Sequence, residues 1–207
     1  MKIIFVDLSE SFCEAAQKAF KDLPNIEVVQ DYFEKLPAFD CMVSPANSFG
    51  LMDGGVDAAI TKFFGVQLMQ RVQERILTEY LGEQPVGTSM IVETGNPKHP
   101  FLAHTPTMRI PMHISKTDNV YLSMWALLRA VHFHNKTSER KIEIIACPGL
   151  GTGTGRVPYE QAARQMALAY KNYLNQPLYL NWGLASARQG EIVFGGDDGC
   201  DISPYFS

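Results

Sequence analysis

The chain has 207 residues, of which 46% are hydrophobic and 19% are charged, and its formal net charge at pH 7 is −4. A chain of this length and composition buries a sizeable core and folds as one domain, or as one domain with an extension. The negative charge argues against sequence-independent binding of nucleic acid along a basic face, whereas a local phosphate site is compatible with it.

The cysteines and the lengths of the apolar runs indicate in which cellular compartment the protein is expected. Four scattered cysteines form no CxxC pair, so we expect reduced thiols and no metal site. The N-terminal apolar run in MKIIFVDLSE is too short for a signal peptide, and no run approaches the roughly 20 residues of a membrane span. We therefore expect a cytoplasmic protein without a membrane partner.

Apolar strand-like runs alternate with longer segments of helical periodicity. In the first half of the chain we expect a strand over 2–6, a helix over 10–23, and strands over 26–29 and 41–43 separated by a connector with at most one helical turn. Two helices follow, over 56–64 and 66–81, interrupted near Gly65. The remaining expected elements are strands over 88–93 and 101–105, a helix over 119–135, a strand over 142–147 and a helix over 159–175. This alternation predicts an α/β sandwich around a largely parallel or mixed sheet.

The C-terminal residues 176–207 differ from the rest and are expected to form an extension. Pro177 precedes a short apolar run, Leu178–Leu180, and the later stretch GEIVFGGDDG is apolar and then acidic. We expect these residues to supply an edge strand followed by a loose acidic tail.

A glycine-rich turn follows the strand over 142–147. The stretch ACPGLGTGTGRV, Ala146–Val157, carries glycine at every second position from Gly149 to Gly155 and leads into a helix. Glycines at the carboxyl end of a strand let backbone N–H groups approach an anion, and the next helix terminus favours negative charge. Neither GxxxxGK[ST] nor GxGxxG matches, and a tight strand-to-helix connection accounts for the glycines equally well.

A second segment has the same order of strand, glycine-bearing loop and helix start. Asp40–Gly65 reads DCMVSPANSFGLMDGGVDAAITKFFG, which places an apolar strand, Asn47, a glycine-bearing loop and a helix start in that order. Two such loops at one edge of a sheet would enclose a diphosphate from both sides, which a single loop does not do.

These segments resemble the macrodomain family. VSPANSFGLMDGGVDAAI is similar to the family signature VNAAN with its glycine-rich loop and GVDGAI, and PGLGTGTGRVP is similar to PAISTGxxGYP. The earlier QDYFEKLP resembles the GDI segment, so the resemblance covers about residues 1–175. It implies a three-layer α/β/α sandwich with a central mixed, largely parallel sheet, and ADP-ribose or an ADP-ribosylated substrate as the partner, with neither metal nor cofactor required.

The resemblance also assigns expected roles to individual residues. Asp31 matches the acid that contacts adenine, with Tyr32 beside it, and Asn47 matches the residue that holds the distal ribose. Asp57 matches the aspartate that orients water in hydrolytic members, so Asn47 and Asp57 are the expected catalytic pair. The two diphosphate loops would be formed by Gly54, Gly55, Val56, Gly151, Thr152, Gly153, Thr154 and Gly155. The residues alone also allow Asp57 to cap its helix and Asn47 to form a turn.

The sequence departs from the family pattern at several positions. Ser44 and Pro45 replace NA of the signature, Asp53 breaks the glycine run, and Thr61 stands where a histidine is frequent. Gly155 replaces an aromatic residue, so the ring over the distal ribose is missing unless Phe49, Tyr159 or the tail supplies one. Arg156, which follows, has two open readings: a phosphate contact or a solvated side chain.

Three functions follow from these comparisons of residues. The first is a hydrolase of ADP-ribosyl linkages or esters, with water attacking near the distal ribose; retention of Asp57 favours it. The second is a reader that binds ADP-ribose or a related nucleotide without turnover, which the losses at Ser44, Thr61 and Gly155 favour. The third is an interaction protein that keeps the fold with an altered pocket.

Overall fold

A six-stranded sheet forms the centre of the computed structural model, which describes residues 1–193. Its strands are β1 (Lys2–Asp7), β2 (Ile26–Gln30), β3 (Cys41–Ser44), β4 (Met90–Glu93), β5 (Phe101–His104) and β6 (Ile144–Cys147). The strand order is β2-β1-β6-β3-β5-β4, and all neighbours pair in parallel except β4 and β5. The sheet is therefore mixed and largely parallel, as predicted.

Helices cover both faces of this sheet. They are α1 (Glu10–Ala19), α2 (Gly55–Phe64), α3 (Val66–Glu79), α4 (Asn119–Thr137), α5 (Tyr159–Leu174) and α6 (Trp182–Glu191). The first core joins α1, α4 and α5 to one face, and the second joins α2 and α3 to the other. Along β3, Cys41 and Val43 point into the first core and Met42 into the second. Burial on both faces explains why the inner strands β1, β6, β3 and β5 are nearly continuous apolar runs.

Local signals in the sequence account for the boundaries between elements. Gly65 has φ +93°, a left-handed conformation that ends α2 and starts α3, which confirms the predicted interruption. The connector after β2 contains a single 3-10 turn over Phe33–Lys35. Ser9 caps α1 by accepting a hydrogen bond from the backbone N–H of Phe12. No helix within residues 1–193 is long and apolar enough to cross a membrane.

No strand forms between residues 176 and 193, so the edge strand expected after residue 176 is not found within the described part of the chain. Leu178 is 99% exposed and outside the sheet, and α6 follows because Asn181 caps it by accepting from the N–H of Leu184. This helix lies against the α4 and α5 layer, where the Arg188 guanidinium stacks over Trp125. Among residues 1–193, β2 and β4 form the two edges of the sheet. The expected acidic tail lies outside the described residues.

The topology places the two glycine-bearing loops together. β6 and β3 are adjacent parallel strands, with Ile145 opposite Cys41 and Ala146 opposite Met42. Their carboxyl ends meet at the same edge of the sheet, so the loops after Ser44 and Cys147 start side by side. This edge is where open α/β sheets bind ligands.

Candidate functional site

A cleft of about 480 Å³ runs along the carboxyl edge of the sheet, from the end of β2 to the segment after β5. Its walls include all the residues that sequence reasoning selected: Asp31, Tyr32, Asn47, Gly54, Gly55, Val56, Asp57, Gly151, Thr152, Gly153, Thr154 and Gly155. The structure therefore brings the whole predicted set around one hollow. This volume falls within the range of small-molecule and cofactor sites, about 300–1,000 Å³.

The N-terminus of α2 forms the first wall. Gly54 is its N-cap residue and has no side-chain capping bond, and Gly55 follows with φ +54°. A Cβ built on either glycine would meet no atom within 4 Å, so this turn faces open space. Uncapped N–H groups at a helix N-terminus, together with the helix dipole, favour an anion at this wall.

The loop after β6 forms the second wall, and its glycines serve different purposes. Gly151 has φ +71°, and a Cβ on Gly155 would collide with the backbone carbonyl oxygen of Gly151. Gly153, by contrast, has nothing within 4 Å of such a Cβ. Two of these glycines are thus required by backbone packing, whereas Gly153 keeps the wall open toward the cleft.

Asp57 lies in the first turn of α2 with its carboxyl group turned into the protein. Its Oδ1 accepts a 2.6 Å hydrogen bond from the hydroxyl of Ser44 at the end of β3, and only 8% of the residue is exposed. Burial raises the pKa of Asp57 to about 7, and the Ser44 bond partly offsets that rise. Oδ2 makes no hydrogen bond to any residue within 1–193. Asp57 is thus a nearly buried acid that titrates near neutrality.

The Asn47 side chain braces the first loop. Its Oδ1 accepts from the N–H groups of Phe49 and Leu51, and its Nδ2 donates to the Leu51 carbonyl at 2.9 Å. One of the two Nδ2 hydrogens is left for a ligand. Asn47 therefore forms the turn that the residues alone allowed, and it also lines the cleft.

Asp31 and Tyr32 lie at the β2 end of the cleft. The Asp31 carboxylate accepts from Lys35 Nζ at 2.7 Å and from the backbone N–H of Tyr32 at 2.8 Å. These hydrogen bonds, that of Lys35 first, lower the pKa of Asp31. The Tyr32 ring is 53% exposed and offers a flat surface beside this carboxylate.

The structure resolves several of the departures from the family pattern. Thr61 donates its hydroxyl to the Met52 carbonyl, so it ties α2 to the first loop. Tyr159 lines the cleft, whereas Phe49 packs under Arg109 and lies outside it. Arg156 is not among the residues that line the cleft, which favours the solvated reading.

Sequence reasoning missed Asp7, which holds the second wall. Its Oδ2 accepts from the N–H of Gly149 and its Oδ1 from that of Ser9, so the end of β1 is tied to the loop after β6. A lone aspartate after a strand carries no motif, although its position at the carboxyl edge was a usable signal. Other lining residues that it did not select include Leu8, Phe33, Glu34, Leu51, Thr107, Met108 and Pro111.

A buried polar pair supports the far end of the cleft. His104 Nδ1 lies 2.6 Å from Gln84 Oε1, and the Gln84 backbone N–H donates to the Ser48 carbonyl in the first loop. Burial lowers the pKa of His104 to about 3, so the ring is neutral at physiological pH. Within residues 1–193, no group of three or more His, Cys, Asp or Glu side chains is arranged to hold a metal ion.

Comparison with known proteins gives the same family from sequence and from fold. The Macro domain family model matches residues 43–166. An uncharacterized protein of Aquifex aeolicus is 34% identical over 142 residues, 69% of this chain and 78% of that protein. A macro domain-containing protein of Caldanaerobacter subterraneus is 29% identical over 137 residues, 65% of this chain and 73% of its own length.

Solved macrodomains share the fold. The macrodomain of Mycobacterium tuberculosis DarG superposes with a TM-score of 0.56 at 20% identity, covering 69% of this chain and 86% of that one. A mutant macrodomain of Oceanobacillus iheyensis, solved with ADPR, gives 0.54 at 20% identity, covering 78% and 88%. With both loops lining one cleft and the family model matching across them, the chain belongs to the macrodomain family.

Proposed function

We propose that this macrodomain binds ADP-ribose in the cleft and hydrolyses the bond between the terminal ribose and its attached group. The observation that carries the proposal is the placement of Asp57, a nearly buried carboxyl group with a pKa of about 7, among the residues that line a cleft walled by two glycine-bearing loops. An acid that titrates near the working pH is suited to general acid and base chemistry.

The two walls support binding of the diphosphate. The uncapped first turn of α2 offers backbone N–H groups on one side, and the loop Gly151–Gly155 closes the other. Asp31 and Tyr32 at the β2 end are available to the adenine amino group and ring. The ligand's opposite end would then lie toward Asn47 and Asp57, where the chemistry is proposed.

In the proposed reaction, Asp57 accepts a proton from a water molecule that attacks the anomeric carbon of the terminal ribose. A new carbon–oxygen bond forms, the bond to the attached group breaks, and the leaving group takes up a proton. Ser44 holds Oδ1, so Oδ2 is the oxygen that would act as base. The remaining Nδ2 hydrogen of Asn47 would position a ribose hydroxyl.

A reader that binds without turnover is the second candidate, and the contacts of Asn47 favour it. Its Oδ1 is fully engaged with the N–H groups of Phe49 and Leu51, so little of this side chain is left to hold substrate. Binding by the two walls needs neither Asn47 nor an ionised Asp57. The two candidates therefore differ in turnover, not in affinity for ADP-ribose.

Calorimetry with ADP-ribose, followed by release assays on mono-ADP-ribosylated protein, tests the proposal. We expect one-to-one binding, and release that falls by about 10²- to 10⁴-fold in Asp57→Asn while binding persists. Asp22→Asn is the matched control, because it removes an exposed carboxylate from the turn after α1, at the opposite edge of the sheet.

The outcomes separate the candidates. If the wild type binds ADP-ribose but releases none from the modified protein, the second candidate, a reader without turnover, is supported. Release that Asp57→Asn does not alter would remove the proposed base, and failure to bind any adenine nucleotide would point to an interaction protein.

A further inference from the structure

The charged side chains that line the cleft are all acidic. Five carboxyl groups line it, those of Asp7, Asp31, Glu34, Asp53 and Asp57, and no lysine, arginine or histidine is among the described residues of its walls. Proteins that recognise phosphate monoesters commonly surround them with arginine or lysine side chains. Here any anion must rely on backbone N–H groups, the dipole of α2 and neutral side-chain donors such as Thr154 and Asn47, with no cation in the described walls.

Three of these carboxyl groups are already engaged by the protein. Asp7 accepts from two backbone N–H groups, Asp31 pairs with Lys35, and Asp57 accepts from Ser44. Glu34 and Asp53 have no ion pair or hydrogen bond to any residue within 1–193. Their negative charges therefore act on whatever occupies the cleft.

Asp53 has the more consequential position of these two. It immediately precedes Gly54, the N-cap residue of α2, and its side chain is exposed at the wall expected to take the diphosphate. The helix N-terminus attracts an anion at this wall, and Asp53 opposes that attraction. The balance between the two depends on how much negative charge the ligand carries.

We propose that Asp53 limits the charge of the ligand, so that the cleft takes ADP-ribosyl groups joined to a neutral or cationic partner and disfavours those ending in a phosphate. This inference rests on the proposed function and names its substrate class. A diphosphate carries two charges, which the two walls of N–H groups can accommodate. A terminal phosphate adds up to two more, and the cleft walls supply no cation to neutralise them.

Calorimetry in EDTA at low ionic strength, with ADP-ribose and with ADP-ribose phosphorylated on its terminal ribose, tests this. For the wild type we expect the phosphorylated ligand to bind at least about tenfold more weakly. Asp53→Asn should raise the affinity for ADP-ribose by about threefold and that for the phosphorylated ligand by about tenfold, because the repulsion scales with ligand charge. Asp53→Glu, which keeps the charge, should retain the wild-type discrimination, and Asp22→Asn should leave both affinities unchanged.

Each other outcome overturns the inference in a recognisable way. Equal binding of the two ligands by the wild type, or an equal gain for both in Asp53→Asn, would show that Asp53 does not select by charge. Weaker binding in Asp53→Asn would show that the carboxylate assists the ligand. If neither wild type nor variant binds ADP-ribose, the proposed function itself fails, and with it this inference.

Discussion

Ser44, the last residue of β3, donates its hydroxyl to Asp57 in the first turn of α2 across 2.6 Å, and both side chains are nearly buried. The bond links a strand end to the helix that walls the cleft. It also stabilises the charged form of an acid whose surroundings disfavour charge. The pKa of Asp57 therefore depends on two opposing effects that can be altered separately.

Replacing Ser44 with alanine should move the pH dependence of release. If Asp57 is the base, kcat/KM rises with pH through a midpoint near the Asp57 pKa of about 7. Ser44→Ala removes the stabilising hydrogen bond, so the midpoint should rise by about one pH unit. The check is a pH profile from pH 5 to 9; an unchanged midpoint, with activity retained, would contradict the role given to this pair.

Asp57 should also make stability depend on pH. Its pKa is 3.8 for an aspartate in an unfolded chain and about 7 in the folded protein, so the unfolded chain ionises first as pH rises. The contribution of Asp57 is fully present below about pH 4 and is lost by about pH 7, at about 1.4 kcal/mol per pKa unit. Urea unfolding at pH 4, 5.5 and 7.5 measures it as the difference between wild type and Asp57→Asn.

The comparison with Asp57→Asn is needed because His104 makes the unfolding free energy depend on pH in the opposite direction. Its pKa falls from 6.5 to about 3 on folding, so the stability that it contributes is present above pH 6.5 and is lost as pH falls toward 3. This change is common to wild type and Asp57→Asn and cancels. A difference that does not decrease from pH 4 to 7.5 would show that Asp57 is not buried as described.

The alternating glycines should not be equivalent. Gly155→Ala places a Cβ against the Gly151 carbonyl and within 2.8 Å of Ile114, and we expect it to cost about 1–3 kcal/mol of unfolding free energy. Gly153→Ala, in the same loop, meets no atom within 4 Å and should cost less than about 1 kcal/mol. Thermal and urea unfolding compare the pair, and equal costs would contradict the loop geometry.

Asp7 should matter for binding although it is not expected to touch the diphosphate. Asp7→Ala removes the acceptor that holds the N–H of Gly149, so the second wall loses its tie to β1. We expect ADP-ribose to bind about tenfold more weakly, corresponding to about 1.4 kcal/mol. Asp7→Asn keeps one carbonyl oxygen as acceptor, so its affinity for ADP-ribose should fall less than that of Asp7→Ala. Equal losses of affinity in the two variants would indicate that the charge of Asp7 matters instead of the hydrogen bond.

Much of the fold was predictable because its signals are local. The buried run KIIFV, the glycine at position 65 and the two strand-loop-helix segments each determine structure within a few residues. The meeting of the two loops was predictable as well, since parallel strands end at the same edge of a sheet.

Other features depend on contacts that no local pattern encodes. The Asp7 tie to Gly149 spans 142 positions in sequence, and the Ser44 bond to Asp57 requires the α2 turn to be in place. The apolar run after Pro177 suggests strand pairing, but residues 178–180 lie outside the sheet and are largely exposed. Asn181 instead begins a helix that packs against the outside of α4 and α5.

The central claim is that two loop backbones share one diphosphate, and blocking each wall tests it most directly. Gly54 and Gly153 face open space, and neither has a positive φ, so Gly54→Val and Gly153→Val should leave stability within about 1 kcal/mol of the wild type. Calorimetry with ADP-ribose should show one-to-one binding by the wild type and at least about tenfold weaker binding by each variant, because both side chains enter the same hollow. Wild-type affinity in either stable variant, or no binding by the wild type, would contradict the claim.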